Sequence, residues 1–187
     1  MKYQFTNSWF QVTAKGWERF PKANAILEVG SFEGQSSVWM IENMLNDEGT
    51  MICIDSWEGG EDHEGIDFKA VEDRFEANIK AARRAAQKVY KVKGKSVDGL
   101  ATCLTGKQEF DFIYIDGSHV AMDVMTDACL AWPMLRSNGI MVFDDYSWGA
   151  PRDILHRPKM AIDMFTHLFA EDLQIINGGS QLTVRKK

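Results

Sequence analysis

Cysteine is scarce. The chain holds three, Cys53, Cys103 and Cys129, an odd number without metal-site spacing, which argues against both a disulfide framework and a cysteine-based zinc site. Each sits in an apolar or small-residue setting, so buried thiols in a reducing compartment are expected. Long apolar runs are also missing: no stretch of about 18 residues could cross a bilayer, and no charged-then-apolar leader opens the sequence. A cytoplasmic location with no membrane partner is therefore expected. Positive charge is in deficit, with 21 Lys and Arg against 27 Asp and Glu and a formal net charge of −6. That balance disfavours nucleic-acid binding, which needs a basic face to neutralise phosphates. Lys91, Lys93 and Lys95 alternate as they would on the solvated face of a strand. Internal repeats, low-complexity segments and long linkers are absent as well.

What remains is an ordinary globular composition: 187 residues, 45% hydrophobic and 26% charged, enough for one domain with its own core. A single domain over residues 1–187 is expected, with a helical cap over 1–23 and the core over 24–187. Short apolar runs rich in β-branched or aromatic residues end at Gly30, Asp55, Gly94, Asp116 and Asp145, and each reads as a strand. Several are apolar on both sides, as strands covered on both faces tend to be. Helical periodicity fills the gaps at Ser36–Leu45, Asp67–Val89, Ala121–Leu135 and Ala161–Phe169. Two final strand-like runs, "DLQIING" and "SQLTVRKK", meet at Gly178-Gly179 as a hairpin. This alternation predicts an α/β, doubly wound, Rossmann-like sheet, mostly parallel and seven-stranded, with a C-terminal antiparallel hairpin. Trp9–Phe20 reads as an amphipathic helix suited to packing or to a homodimer contact.

In such sheets ligands bind beyond the carboxyl ends of the strands, where strand order reverses. The first strand-to-helix turn is "EVGSFEGQSS". A P-loop needs Lys then Ser or Thr after its last glycine, but Gly34 is followed by Gln35 and Ser36. A dinucleotide fingerprint needs a second glycine two positions after the first; that position is Phe32, which would crowd a pyrophosphate. A smaller, phosphate-free ligand survives both tests. Asp55 ends the next strand, about twenty residues on, where a carboxylate can accept from ribose hydroxyls. A nucleoside site without provision for phosphate points to S-adenosylmethionine, whose cationic sulfonium suits an acidic pocket with aromatic neighbours. The plainer alternative is that the glycines only permit a tight turn and Asp55 caps a helix.

"ILEVGSFEGQSS" followed by "ICIDSWEGG" resembles the first two cofactor motifs of class I S-adenosylmethionine-dependent methyltransferases. The resemblance continues through "FDFIYIDGSH" and "NGIMVFDDYSW", and it is nearest the small-domain branch of macrocin and catechol O-methyltransferases. It implies a cofactor site at Glu28, Gly30, Ser31, Phe32, Gly34, Ser36, Asp55, Ser56, Trp57, Ser96 and Asp116. In that reading Glu28 orients the loop or contacts the methionine moiety, Gly30 faces the cofactor, Asp55 holds the ribose, and Trp57 or Ser96 lies near the adenine.

A second acidic cluster closes the next two strands: Asp116 in "IYIDGSH", then Asp144 and Asp145 in "MVFDDY". If the strands are neighbours, three carboxylates converge, and their repulsion calls for a cation or a positive ligand. Magnesium or calcium fits a carboxylate-and-water donor set. In the metal-dependent branch of the family the matching residues hold a divalent cation, which implies that role for Asp116, Asp144 and Asp145. Such a metal would bind two oxygens of a small hydroxylated acceptor, sugar- or polyphenol-like, and acidify one hydroxyl. His119 would then take the proton as general base, with Asp116 beside it in the catalytic centre. The chain departs from the family pattern around this histidine, at Ser118, Val120 and Ala121. The alternatives left open are a metal-independent N-methyltransferase of the same fold and a non-catalytic binding module. Tyr146, Trp148, Arg152 and His156 follow the Asp pair and are candidate acceptor contacts.

Overall fold

The computed structural model describes residues 2–6, 10, 14–60, 65–149 and 152–187. Among them a seven-stranded sheet runs in the order 3-2-1-4-5-7-6. Strands β1 (Ala23–Val29), β2 (Leu45–Asp55), β3 (Lys88–Lys93), β4 (Phe110–Ile115) and β5 (Leu135–Phe143) are mutually parallel. The terminal hairpin of β6 (Leu173–Gly178) and β7 (Leu182–Lys186) joins through β7, which runs antiparallel to both β5 and β6.

The pleat sorts each central strand between two cores. Ile26, Phe112, Tyr114, Ile140 and Val142 face one layer, which holds α1 (Gln35–Asn43), α2 (Phe68–Ala82) and the 3-10 helix Ala14–Arg19. Leu27, Val29, Ile113, Ile115, Met141 and Phe143 face the other, which holds α3 (Ser96–Thr105), α4 (Ala121–Ala131) and α5 (Pro158–Leu168). Central strands buried on both faces explain the unbroken apolar runs of the sequence.

Several boundaries differ from those the periodicity suggested, each for a tertiary reason. The helix expected to reach Val89 stops at Ala82. Buried Gln87 donates to the carbonyls of Ile41, Leu45 and Asn46 and accepts from the Arg84 amide, which turns the chain into β3. Helix α3 was not foreseen because Gly99 interrupts its pattern; here a Cβ would lie 2.8 Å from Ile54 Cγ2, so the helix needs glycine to approach β2. The helix expected to reach Leu135 gives way at Ala131 to a 3-10 turn, Trp132–Met134, because Pro133 lacks the amide an α-helix requires. Helix α5 starts at Pro158, three residues before the expected Ala161, with proline in its favoured first turn. Of the helix expected over Trp9–Phe20, residues 9 and 11–13 lie outside the described residues; Ala14–Arg19 is 3-10. Cys53 and Cys103 are buried free thiols, whereas Cys129, also free, is exposed on α4, contrary to expectation. Among the described residues no helix is long and apolar enough to cross a membrane.

Candidate functional site

Strand order reverses between β1 and β4, and the loops after these strands touch. Gly30 has φ +85°, and a Cβ there would stand 2.0 Å from the Asp116 carbonyl oxygen. The Asp116 amide donates to Val29 O at 2.8 Å and the Asp144 amide to Ile115 O at 3.0 Å, so the strand ends stack in register. They open onto a cavity of about 570 Å³.

The glycine loop is held from two sides. Beneath it, Glu28 is fully buried and accepts from the hydroxyls of Ser31, Ser36 and Ser37, with the Ser31 contact at 2.7 Å. Burial pushes its carboxyl pKa up against the pull of those hydroxyls. Beside it, Asp55 Oδ2 accepts from the Ser31 and Phe32 amides, each at 2.8 Å, and Oδ1 accepts from the Trp57 amide at 2.7 Å. Loop amides that could cradle a phosphate are thus already paired with a carboxylate. Phe32 and Trp57 both take left-handed φ, 47° and 48°, and the Trp57 indole N–H donates to Phe32 O, locking the two turns together.

Most residues expected at the site reach the cavity wall: Gly30, Ser31, Phe32, Ser36, Asp55, Ser56, Trp57, Asp116, His119, Asp144 and Asp145. Glu28, Gly34 and Ser96 are not among the wall residues. Glu28 orients the loop from below, Gly34 (φ +81°) turns the chain into α1, and Ser96 opens α3. Trp57 is buried against Phe75 with Lys91 Nζ over its ring, so it serves as a pillar of the wall. Trp148, Arg152 and His156 also line the cavity, and the Arg152 guanidinium lies 4.5 Å from the Trp148 ring centre.

The three aspartates converge but divide their contacts. Asp116 and Asp144 both meet the buried Tyr114 hydroxyl, Asp116 at 3.0 Å. A phenol has one proton to give, so the two carboxyls compete for it. Burial raises the pKa of Asp116 well above the usual range, and the Asp144 and Asp145 charges add to it, although Asp116 opens onto the cavity. Burial first, then Asp145, raises Asp144. Asp145, at φ 53°, instead meets His119, Nε2 to Oδ2 at 2.9 Å, and the His119 ring stacks on Trp148 with centroids 3.7 Å apart. Among the described residues, no three His, Cys, Asp or Glu side chains form a group that could hold a metal ion.

A family model described as a methyltransferase domain matches residues 27–146, which span β1 through the Asp pair. The chain belongs to this methyltransferase family. No curated protein sequence matches the methyltransferase chain significantly. Among solved structures it is similar to an O-methyltransferase from Bacillus cereus in complex with SAH: TM-score 0.65, 20% identity, covering 95% of this chain and 79% of the other. It is also similar to an O-methyltransferase from Streptomyces achromogenes involved in tomaymycin synthesis, in complex with SAM: TM-score 0.65, 19% identity, 96% and 78% coverage. A calicheamicin methyltransferase gives TM-score 0.61 at 14% identity, with 95% and 77% coverage. At these identities the likeness establishes the fold. The sequence reading missed Tyr114 and Glu33, which also line the cavity. Tyr114 lies two residues before Asp116, and strand period two puts both on one face. Glu33 is an acid inside the glycine loop.

Proposed function

We propose that the chain is an S-adenosylmethionine-dependent O-methyltransferase acting on a small hydroxylated acceptor, sugar- or polyphenol-like. The observation that carries this reading is the Asp55 carboxylate on the loop amides. It occupies the Ser31 and Phe32 amides, loop donors that a phosphate would need, and leaves Oδ1, which accepts from the Trp57 amide, with capacity for a ribose hydroxyl. The carboxylates of Asp116, Asp144 and Asp145 surround the other side of the cavity with negative charge suited to a sulfonium. The SAH and SAM in the two O-methyltransferase structures support the same cofactor.

Methyl transfer needs the acceptor oxygen in line behind the methyl carbon, so positioning is the main contribution of the protein. Trp148 and Arg152 form a flat, cationic shelf for the acceptor, and His119, oriented by Asp145 and stacked on Trp148, stands to take the hydroxyl proton. Asp116, Asp144 and Asp145 are carboxylates of the kind a hard divalent cation such as Mg²⁺ or Ca²⁺ takes, but they would hold it only by regrouping away from their present contacts with Tyr114 and His119. When bound, the cation would lower the pKa of the acceptor hydroxyl. The His119–Asp145 contact favours a second reading, in which that pair alone activates the acceptor without metal.

Calorimetric titration of the metal-stripped protein with S-adenosylmethionine, with and without magnesium, tests the cofactor and the cation together. Binding that is lost in Asp55→Ala supports the cofactor site. Transfer to catechols or sugar diols that EDTA abolishes supports the metal; transfer that survives EDTA but falls about 10²-fold or more in His119→Asn supports the pair alone. No cofactor binding by the wild-type chain overturns the proposal.

A further inference from the structure

Residues 2–6 lie outside the sheet, yet they are fastened to the glycine loop through one residue. Glu33 sits between Phe32 (φ 47°) and Gly34 (φ 81°), where two left-handed residues flank it. Its carboxylate is 0% exposed and takes three donors: Arg74 Nε at 2.6 Å, the Thr6 amide at 2.7 Å and the Thr6 hydroxyl at 2.6 Å. Its carbonyl accepts from Asn78 Nδ2 at 2.9 Å. Asn78, 1% exposed, pairs with the backbone of Gln4 as another peptide would, accepting from its amide at 2.7 Å and donating to its carbonyl at 3.0 Å. Both the side chain and the main chain of Glu33 are therefore tied to α2, and the N-terminal segment shares in both ties. Further along that segment Phe10 stands in the cavity wall, edge-on to Tyr114.

We infer that Glu33 is a positioning residue for the cofactor loop: through it, docking of the N-terminal segment and the shape of the loop that receives the cofactor form one equilibrium. The inference rests on the methyltransferase reading above. A left-handed Phe32 is strained and persists only where its surroundings over-determine it. Asp55 holds the amide of Phe32 from one side, and Glu33 anchors the next residue from the other. Whatever loosens the N-terminal segment loosens that anchor, and by reciprocity a ligand that fixes the loop tightens the segment.

The test compares the wild-type chain with Glu33→Gln, which keeps the volume and removes the charge, and with Thr6→Ala, which removes one bond from an exposed position and leaves the core intact. S-adenosylmethionine affinity is read by calorimetry and amide exchange at Gln4 and Thr6 by mass spectrometry, with and without cofactor. The expected result is a Kd and cofactor KM raised about tenfold in Glu33→Gln and less in Thr6→Ala. Cofactor should slow exchange at Gln4 and Thr6 in the wild type and not in Glu33→Gln. A merely structural role would lower stability and leave the affinity of the folded protein and this cofactor-dependent protection unchanged. Should Glu33→Gln not fold, Thr6→Ala alone decides. Wild-type binding with unchanged Kd in the variants and cofactor-insensitive exchange overturns the inference alone. A wild-type chain that binds no cofactor overturns the functional reading, and the inference with it.

Discussion

Replacing Gly30 with alanine should do disproportionate damage for one methyl group. Two costs separate cleanly in this fold. The first is conformational: φ +85° is left-handed, and an L-residue there costs roughly 1–2 kcal/mol. The second is steric: the new Cβ would sit 2.0 Å from the Asp116 carbonyl oxygen and 2.5 Å from its carbon, both backbone atoms that no rotamer change can move. The ends of β1 and β4 must then part, and forced overpacking of that kind costs about 1–3 kcal/mol more. A loss of about 2–5 kcal/mol is expected. Gly65 supplies the control, because it has φ +75° and a Cβ there meets none of the described residues within 4 Å, so Gly65→Ala should lose only the first cost. Urea unfolding of both variants gives the two stabilities, and cofactor titration should show the heat lost in Gly30→Ala alone. Equal losses in the two variants would refute the claim that contact across the switch point is what demands glycine.

Asp127 is 2% exposed, its Oδ1 has no partner among the described residues, and burial raises its pKa from 3.8 to about 6. The folded protein therefore holds this proton more tightly than the unfolded chain, so the stability from this group is full below about pH 4 and lost as pH rises through about 6. Asp127→Asn should gain on the wild type by up to roughly 3 kcal/mol between pH 4 and pH 8 in thermal or urea unfolding; a constant difference across that window counts against the buried-acid account. Glu28→Ala strands three buried serine hydroxyls and should cost roughly 3 kcal/mol or more, a reading that a loss under about 1 kcal/mol would dismiss. A maleimide should label one thiol per folded chain at Cys129, because Cys53 and Cys103 are buried and burial raises both their pKa values; mass spectrometry finding three labels would show that the sheet opens.

The sheet was legible in the sequence because strands covered on both faces leave continuous apolar runs, and because Gly30, Asp55, Asp116 and Asp145 mark their ends. Helix boundaries were less so. Gln87 and Pro133 stop helices whose local composition would let them continue, and Gly99 hides a helix that packs too closely on Ile54 for any other residue. At the site, spacing along the chain brought the right acids to one edge of the sheet but could not assign their partners. That Asp55 grips amides, that Asp145 turns to His119, and that Tyr114 stands between two carboxyls are matters of side-chain geometry. The role of Glu33 depends on Thr6 and Gln4, 27 and 29 positions earlier, a pairing that no local pattern records.

The two outer strands of the sheet guard against self-association by different means. On β3 charged side chains crowd the free edge: Lys88 is exposed, and Lys91 and Lys93 pair with Glu72 and Glu76 of α2, a network that a second copy would have to break or bury. On β6, "LQIING" carries no charge and leaves Ile175 half exposed, but its register with β7 slips between Ile175 and Asn177. That irregularity bends the rim away from the flat template on which strands add. Salt would screen the lysines of β3 and leave the kink of β6 untouched, so one rim of the molecule is protected by electrostatics and the other by shape.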